Sequence, residues 1–209
     1  MNEHIQSKMA VPIQNFRLPR YQEIPDVGLY LEQTAKYIDS YLEPLEDISI
    51  TGSMISNYVK KKIISNPVKK QYGRDQIACL IFIAVAKSVL SLDNIHMMFE
   101  IQRQTYDNET AYNYFCTEFK HILRHVFELD NSDELNINAD NALDDATDMK
   151  TNQTDTTNGT KKTDRTEKEH GSSNEKTMLR NMIITVAHKI DLDRYFSLLK
   201  EEDTMSAKN

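Results

Sequence analysis

Residues 49–74 read SITGSMISNYVKKKIISNPVKKQYGR, and the fold turns on this stretch. It carries Lys60, Lys61, Lys62, Lys69, Lys70 and Arg74 with no Asp or Glu, in a chain of net charge −7. Acids make up 32 of the 209 residues, so a random window of this length lacks them in roughly 1–2% of cases. Many windows exist, and charge alone is satisfied by a solvated basic face. The residues between the charges say more: Thr51, Ser53, Ser56, Asn57, Tyr58, Gln71 and Tyr72. Lys supplies charge for phosphate oxygens, and short hydroxyl and amide side chains bond phosphates or read base edges.

Thr51 is a good N-cap and opens a helix expected over 51–62. Met54, Ile55, Tyr58 and Val59 fall on one side of it, which leaves Ser53, Ser56, Asn57, Lys60 and Lys61 outside. Ser65-Asn66-Pro67 breaks the helix. Residues 68–73 then read as a short basic loop or small hairpin. The next helix, about 74–90, is apolar almost all round (Ile77, Leu80, Ile81, Ile83, Ala84, Val85). A helix of that kind belongs at the centre of a core.

Working outward, Leu31, Ala35, Ile38 and Leu42 predict a helix over about 28–43, flanked by Tyr30, Tyr37 and Tyr41 and closed by Pro44. Ser91 caps a short helix to about residue 100, with Leu92, Ile95, Met98 and Phe99 inward. Tyr112, Phe115, Phe119, Ile122 and Val126 form the stripe of another over about 108–129. Residues 1–16 read as a flexible arm. From 130 to 173 large apolar residues almost vanish, and 11 acids face 5 bases. That composition predicts a disordered acidic linker. Apolar periodicity returns over 174–202, where Met178, Met182, Ile183, Val186, Ile190, Phe196 and Leu199 predict amphipathic helix. This stripe is expected to make a homodimer, with packing back onto residues 17–129 as the alternative.

Five Gly, five Pro and no Trp disfavour a turn-rich β fold, and the Leu, Ile, Lys and Glu content favours an all-α, mainly helical chain. The first 20 residues show no apolar leader, and the longest apolar run, 77–86, is half the length of a membrane span. A cytoplasmic protein without a membrane partner is expected. Cys79 and Cys116 sit singly in helical patterns and read as small buried residues. There is no Gly-rich phosphate loop and no meaningful Ser–His–Asp spacing, so neither an enzyme nor a cofactor is expected. Glu118, His121 and His125 have the spacing of metal ligands, but Lys120 and Arg124 crowd them and no metal is assigned.

The segment SMISNYVKKKIISNPVKKQYGRDQIACLIFIAVAKSVLSLDNI, residues 53–95, resembles the DNA-binding head of MerR-type regulators. The resemblance rests on Tyr58, Lys60, Ile63, Ile64, Pro67, Tyr72, Ile77, Leu80, Ile83, Ser91, Leu92, Asp93 and Ile95. With LPRYQEIPDVGLYLEQTAKYIDSYLEPL, residues 18–45, the match is closer to a bacterial family called domain of unknown function 1836, regarded as regulatory and related to MerR heads. The resemblance covers 17–129 and implies a winged helix-turn-helix with a short wing. Helix 51–62 would enter the major groove of double-stranded DNA and the basic wing 68–74 would touch the backbone. The implied site is Thr51, Ser53, Ser56, Asn57, Tyr58, Lys60, Lys61, Lys62, Lys69, Lys70, Gln71, Tyr72 and Arg74. Two departures stand out: MerR heads usually carry Gly where Lys62 stands, and their wing is longer. The competing expectation is a protein-interaction module whose basic face docks an acidic partner. An apolar exposed strip on that face would favour it.

Overall fold

The computed structural model describes residues 3–129 and 163–206. The chain is mainly helical. It opens with α1 (Glu3–Ala10), followed by α2 (Leu31–Leu42), α3 (Gly52–Lys60) and α4 (Arg74–Ala86). Then come α5 (Leu92–Thr105), α6 (Asn108–Val126) and α7 (Thr163–Ser206). Two short strands, β1 (Leu29–Tyr30) and β2 (Gln71–Tyr72), pair antiparallel with Leu29 opposite Tyr72 and Tyr30 opposite Gln71. Among the described residues no helix is long and apolar enough to cross a membrane.

α4 is the central rod. Ile77, Leu80, Ile81, Ile83, Ala84, Val85 and Ala86 are all at 0% exposure, as its unbroken apolar sequence requires. Around it α2 contributes Ala35, Ile38 and Leu42, α5 contributes Ile95, Met98 and Phe99, and α6 contributes Phe115, Phe119, Ile122 and Leu123. Phe115 stacks on Phe119 at 5.6 Å, and Phe82 meets Phe115 edge-on at 5.1 Å. Side-chain caps start three helices. Thr51 Oγ1 accepts the Met54 N–H, Ser91 Oγ the Asn94 N–H, and Asp107 Oδ1 the Thr110 N–H.

Two helices end on left-handed residues that are not glycine. After α3, Ile63 N–H bonds Tyr58 O and Lys62 N–H bonds Val59 O, with Lys62 at φ 58°. After α6, Leu129 N–H bonds Arg124 O and Glu128 N–H bonds His125 O, with Glu128 at φ 53°. Both are Schellman ends. The first explains why α3 stops at Lys60 rather than at 62. No Gly marks the stop, but buried Ile63 and Tyr58 hold it from inside.

Three expectations change. Residues 3–16 of the expected arm are not free: α1 forms, and Ile5, Met9, Ile13 and Phe16 are all buried, Ile13 to 1% exposure. Phe16 meets Phe119 edge-on at 5.7 Å, and Arg124 donates to Gln14 O at 3.1 Å. Such apolar residues lower the free energy once α6 and α7 offer a surface. Second, α7 begins at Thr163, inside the stretch read as linker; residues 130–162 of that stretch lie outside the described residues. Third, the central part of the α7 stripe is spent within its own chain, while Phe196 stays 54% exposed. Met182, Ile183, Val186, Ala187 and Ile190 are buried as α7 runs along α6 and touches α1, α4 and α5. Burying each large aliphatic side chain is worth about 1.5–3 kcal/mol. Two arginines fix the docking. Arg180 pairs with the buried Glu118 at 3.2 Å, which takes Glu118 out of any metal set with His121 and His125. Arg194 pairs with Glu46 at 3.0 Å and donates to Pro44 O at 3.3 Å. A homodimer must therefore use a surface other than these five α7 residues.

Candidate nucleic-acid interface

α3 sits against the core through Ile55 and Tyr58, at 0% and 3% exposure. Its other side is open: Thr51, Ser53, Ser56, Asn57, Lys60, Lys61 and Lys62 are exposed. Some of that polar surface is committed locally, because Ser56 Oγ donates to Gly52 O at 2.9 Å and Thr51 Oγ1 caps the helix. Ser56 keeps its acceptor lone pairs and loses its freedom to donate. The start of α3 lies close on α2. A Cβ on Gly52 would come 2.7 Å from Oε1 of the exposed Glu32 side chain, which could swing aside for it. The Glu32 carboxylate stands at the positive end of α3, where it is favourable.

Beside α3 lies a two-residue hairpin. Val68 and Gln71 exchange both backbone hydrogen bonds, at 3.0 and 2.9 Å, and the residues between them, Lys69 and Lys70, have φ of 49° and 65°. Two positive φ angles in a two-residue loop mark a type I′ turn, which ordinarily takes Asn-Gly. Each left-handed non-Gly residue costs roughly 1–2 kcal/mol. The chain therefore holds two adjacent ammonium groups, both exposed, on a turn that disfavours lysine. β1 braces the hairpin from behind, and a Cβ on Gly28 would lie 2.7 Å from Gln71 Cβ, so β1 needs glycine there. Gln76 ties the base of the unit, accepting from Gly73 N–H at 3.0 Å and donating to Ser65 O at 2.9 Å.

Three sequence-predicted site residues face elsewhere. Tyr58 and Tyr72 are at 3% and 4% exposure, and burial pushes both phenols above their usual pKa. They anchor α3 and β2 to the core. Arg74 is a clamp: Nε donates to Ile24 O at 2.9 Å, Nη1 to Gln22 Oε1 at 3.2 Å, and Nη2 lies 3.5 Å from Asp26. Its guanidinium also covers the Tyr21 ring at 5.6 Å, and Tyr21 donates to Asp75 at 2.5 Å. Gln71 is half-buried at the strand pair. The structure thus gathers Ser53, Ser56, Asn57 and Lys60 on α3, with Thr51 at its N-cap and Lys61 and Lys62 at its C-terminal end, and Lys69 and Lys70 on one turn.

Sequence reasoning missed an apolar border to this surface. Val68 is 73% exposed, Tyr30 54% and Val27 74%. All three lie around Gln71, through the hairpin, the strand pair and Gly28. Tyr30 had only its place beside the α2 stripe to mark it, which suggested packing rather than exposure.

Residues 19–115 match the family model described as Domain of unknown function (DUF1836). The matched region contains α2 through α5, both strands and the first part of α6, and leaves out α1 and α7. No curated protein and no solved structure matches the chain. The matched region therefore contains residues 51–74, while α7, which packs along α6, lies outside the match.

Proposed function

We propose that the protein is a sequence-specific DNA-binding transcriptional regulator whose DUF1836 region acts as a MerR-like winged helix-turn-helix. The observation that carries this reading is the pair of lysines held left-handed at an exposed turn, together with an exposed helix face whose own residues include no acid. Strain kept at an exposed site points to use. α3 would lie in the major groove, with Ser53, Ser56 and Asn57 nearest the bases and Lys60 and Lys61 on phosphates. Lys69 and Lys70 would reach the backbone beside the groove, as a wing does. The clamp of Arg74 and the buried Tyr58 and Tyr72 keep helix and turn in fixed relation.

A reader of paired half-sites acts as a homodimer. The outer face of α7 offers Leu192 and Phe196, one turn apart and each 54% exposed, for that contact. The test is selection of bound fragments from genomic DNA by the full-length protein, followed by titration against salt. With about eight phosphate contacts in a dimer, log K should fall with log salt at a slope near −7. Asn57→Ala should weaken the selected site more than random DNA. Absence of binding to any DNA at low salt would overturn the reading.

One observation favours the second reading, a protein-interaction module. Val27, Tyr30 and Val68 form an exposed apolar border where a duplex backbone would approach. On that reading Tyr30→Ser and Val68→Ser abolish partner capture, whereas a DNA reader tolerates both.

A further inference from the structure

Between α4, α5, α6 and the start of the described α7 side chains lies a cavity of about 100 Å³. Phe82, Met98, Phe99, Phe115, Met178 and Leu179 make its walls predominantly apolar. Cys79 also faces it, and burial pushes that thiol up to about 11, so it serves as an uncharged wall. Asp75, Glu175 and Lys176 are the charged residues of the lining, and of these the Glu175 carboxylate has an unused oxygen. Glu175 Oε1 accepts from Thr105 Oγ1 at 2.6 Å, while Glu175 Oε2 is buried and has no hydrogen-bond partner among the described residues. A buried carboxylate oxygen without a donor is costly, and such groups in native proteins usually mark a missing water, ion or ligand. The other nearby carboxylate, Asp75, already accepts from Tyr21.

We propose that this cavity binds a small, largely apolar molecule carrying one protonated amine, which donates to Glu175 Oε2. The volume is smaller than the about 150 Å³ of an engineered cavity that accommodates benzene, so it suits a short aliphatic chain. The roof of the cavity has a second attachment. α7 carries Glu175, Met178 and Leu179 over the cavity and, 19 residues on, Arg194 clamped to Pro44 O and Glu46. At 1.5 Å per residue these ends are about 28 Å apart on one helix. Glu46, at φ 54°, lies in the connection between α2 and α3. Occupancy under one end of α7 therefore bears on the turn that sets α3. This relay rests on the DNA-binding reading; the ligand site does not.

The test uses the full-length protein and three matched probes: butylamine, 1-butanol and butyrate. Melting temperature is followed against probe concentration. The amine should stabilise at millimolar levels, the alcohol less, the acid not at all. Glu175→Gln, close to isosteric, should cut the preference for amine over alcohol at least about tenfold, because the charge-assisted bond is lost. Ala111→Leu, which fills space at the lining, should abolish both responses. Equal responses to amine and acid, or an amine preference that survives Glu175→Gln, would overturn the proposal and leave a cavity that holds water only. Hydrogen exchange at residues 43–50 reads the relay without DNA. Saturating amine should change protection there by at least about threefold in the wild type, and Arg194→Met should remove that change. Binding without any such change would sink the relay and leave the site.

Discussion

α3 with its hairpin and α4 with α7 are built on opposite terms. α4 and α7 are held by burial: Ile83, Val85, Ile183 and Val186 are all at 0% exposure, and their positions follow from packing. α3 and residues 68–72 touch the core through few side chains, chiefly Ile55, Tyr58 and Tyr72, and spend most of the rest of their length on exposed polar groups. The first pair tolerates almost no change in side-chain size or charge. The second tolerates change in stability terms and is sensitive only where its charges are used. Core and basic surface are therefore separable by mutation, although they are neighbours in sequence.

Four experiments break or sharpen that separation. The largest effect is expected from Ile183→Asp, which buries a carboxylate where α7 meets α6. It should cost more than about 4 kcal/mol and unfold the chain at ordinary temperature, read by urea denaturation. A fully cooperative transition displaced by less than about 1 kcal/mol would mean that α7 is an accessory.

Next is Glu118→Ala, which removes the carboxylate that pairs with Arg180 at 3.2 Å where α6 meets α7. Removing one partner of such a pair costs about 3–5 kcal/mol. Replacing Glu118 and Arg180 together by Met should recover most of the loss, and a double variant as unstable as the single one would assign Arg180 another essential contact.

On the basic surface the change should appear in binding and not in stability. Lys60→Ala with Lys61→Ala should flatten the salt slope by about three to four units in a dimer and move unfolding by less than about 0.5 kcal/mol. An unchanged slope with lost stability would make these lysines structural.

Smallest is the pH effect. Burial raises the Cys79 thiol to about 11 and the Tyr21 phenol to about 12, so the folded state holds their protons longer than the unfolded chain does. Their contribution is complete below about pH 9 and is lost as pH rises through 11–12. Stability should thus fall between pH 9 and 12, and the native thiols should resist alkylation at pH 7–8. Rapid labelling of Cys79 at neutral pH would contradict its place in the wall.

The identity of every helix in residues 17–129 was legible, because each carries its own signal. Thr51, Ser91 and the unbroken run 77–86 are examples. Boundaries were less so. α3 ends two residues early because Lys62 takes a left-handed angle without being glycine, and nothing local announces that. The Lys69-Lys70 turn hid for the same reason: type I′ geometry here carries no Asn-Gly. Tyr58, Tyr72 and Arg74 were read as part of the interface because aromatic and basic residues suit nucleic acid. Only the third dimension reveals that two of them point inward and that Arg74 is spent on Ile24, Gln22 and Asp26.

The sequence by itself determined the helical class, the central position of α4 and the acid-free stretch 49–74, because propensity, periodicity and charge are local properties of the chain. Only the tertiary structure decided what α1 and α7 do. Their apolar stripes are compatible with a second copy, a partner or their own chain, and the choice depends on which surface lies within reach once α4, α5 and α6 have packed. Here Ile13 and Phe16 from one end and Ile183 and Val186 from the other close over α6 and its neighbours. Burial within one chain needs no loss of translational freedom, so it precedes any association that the same stripes would otherwise drive.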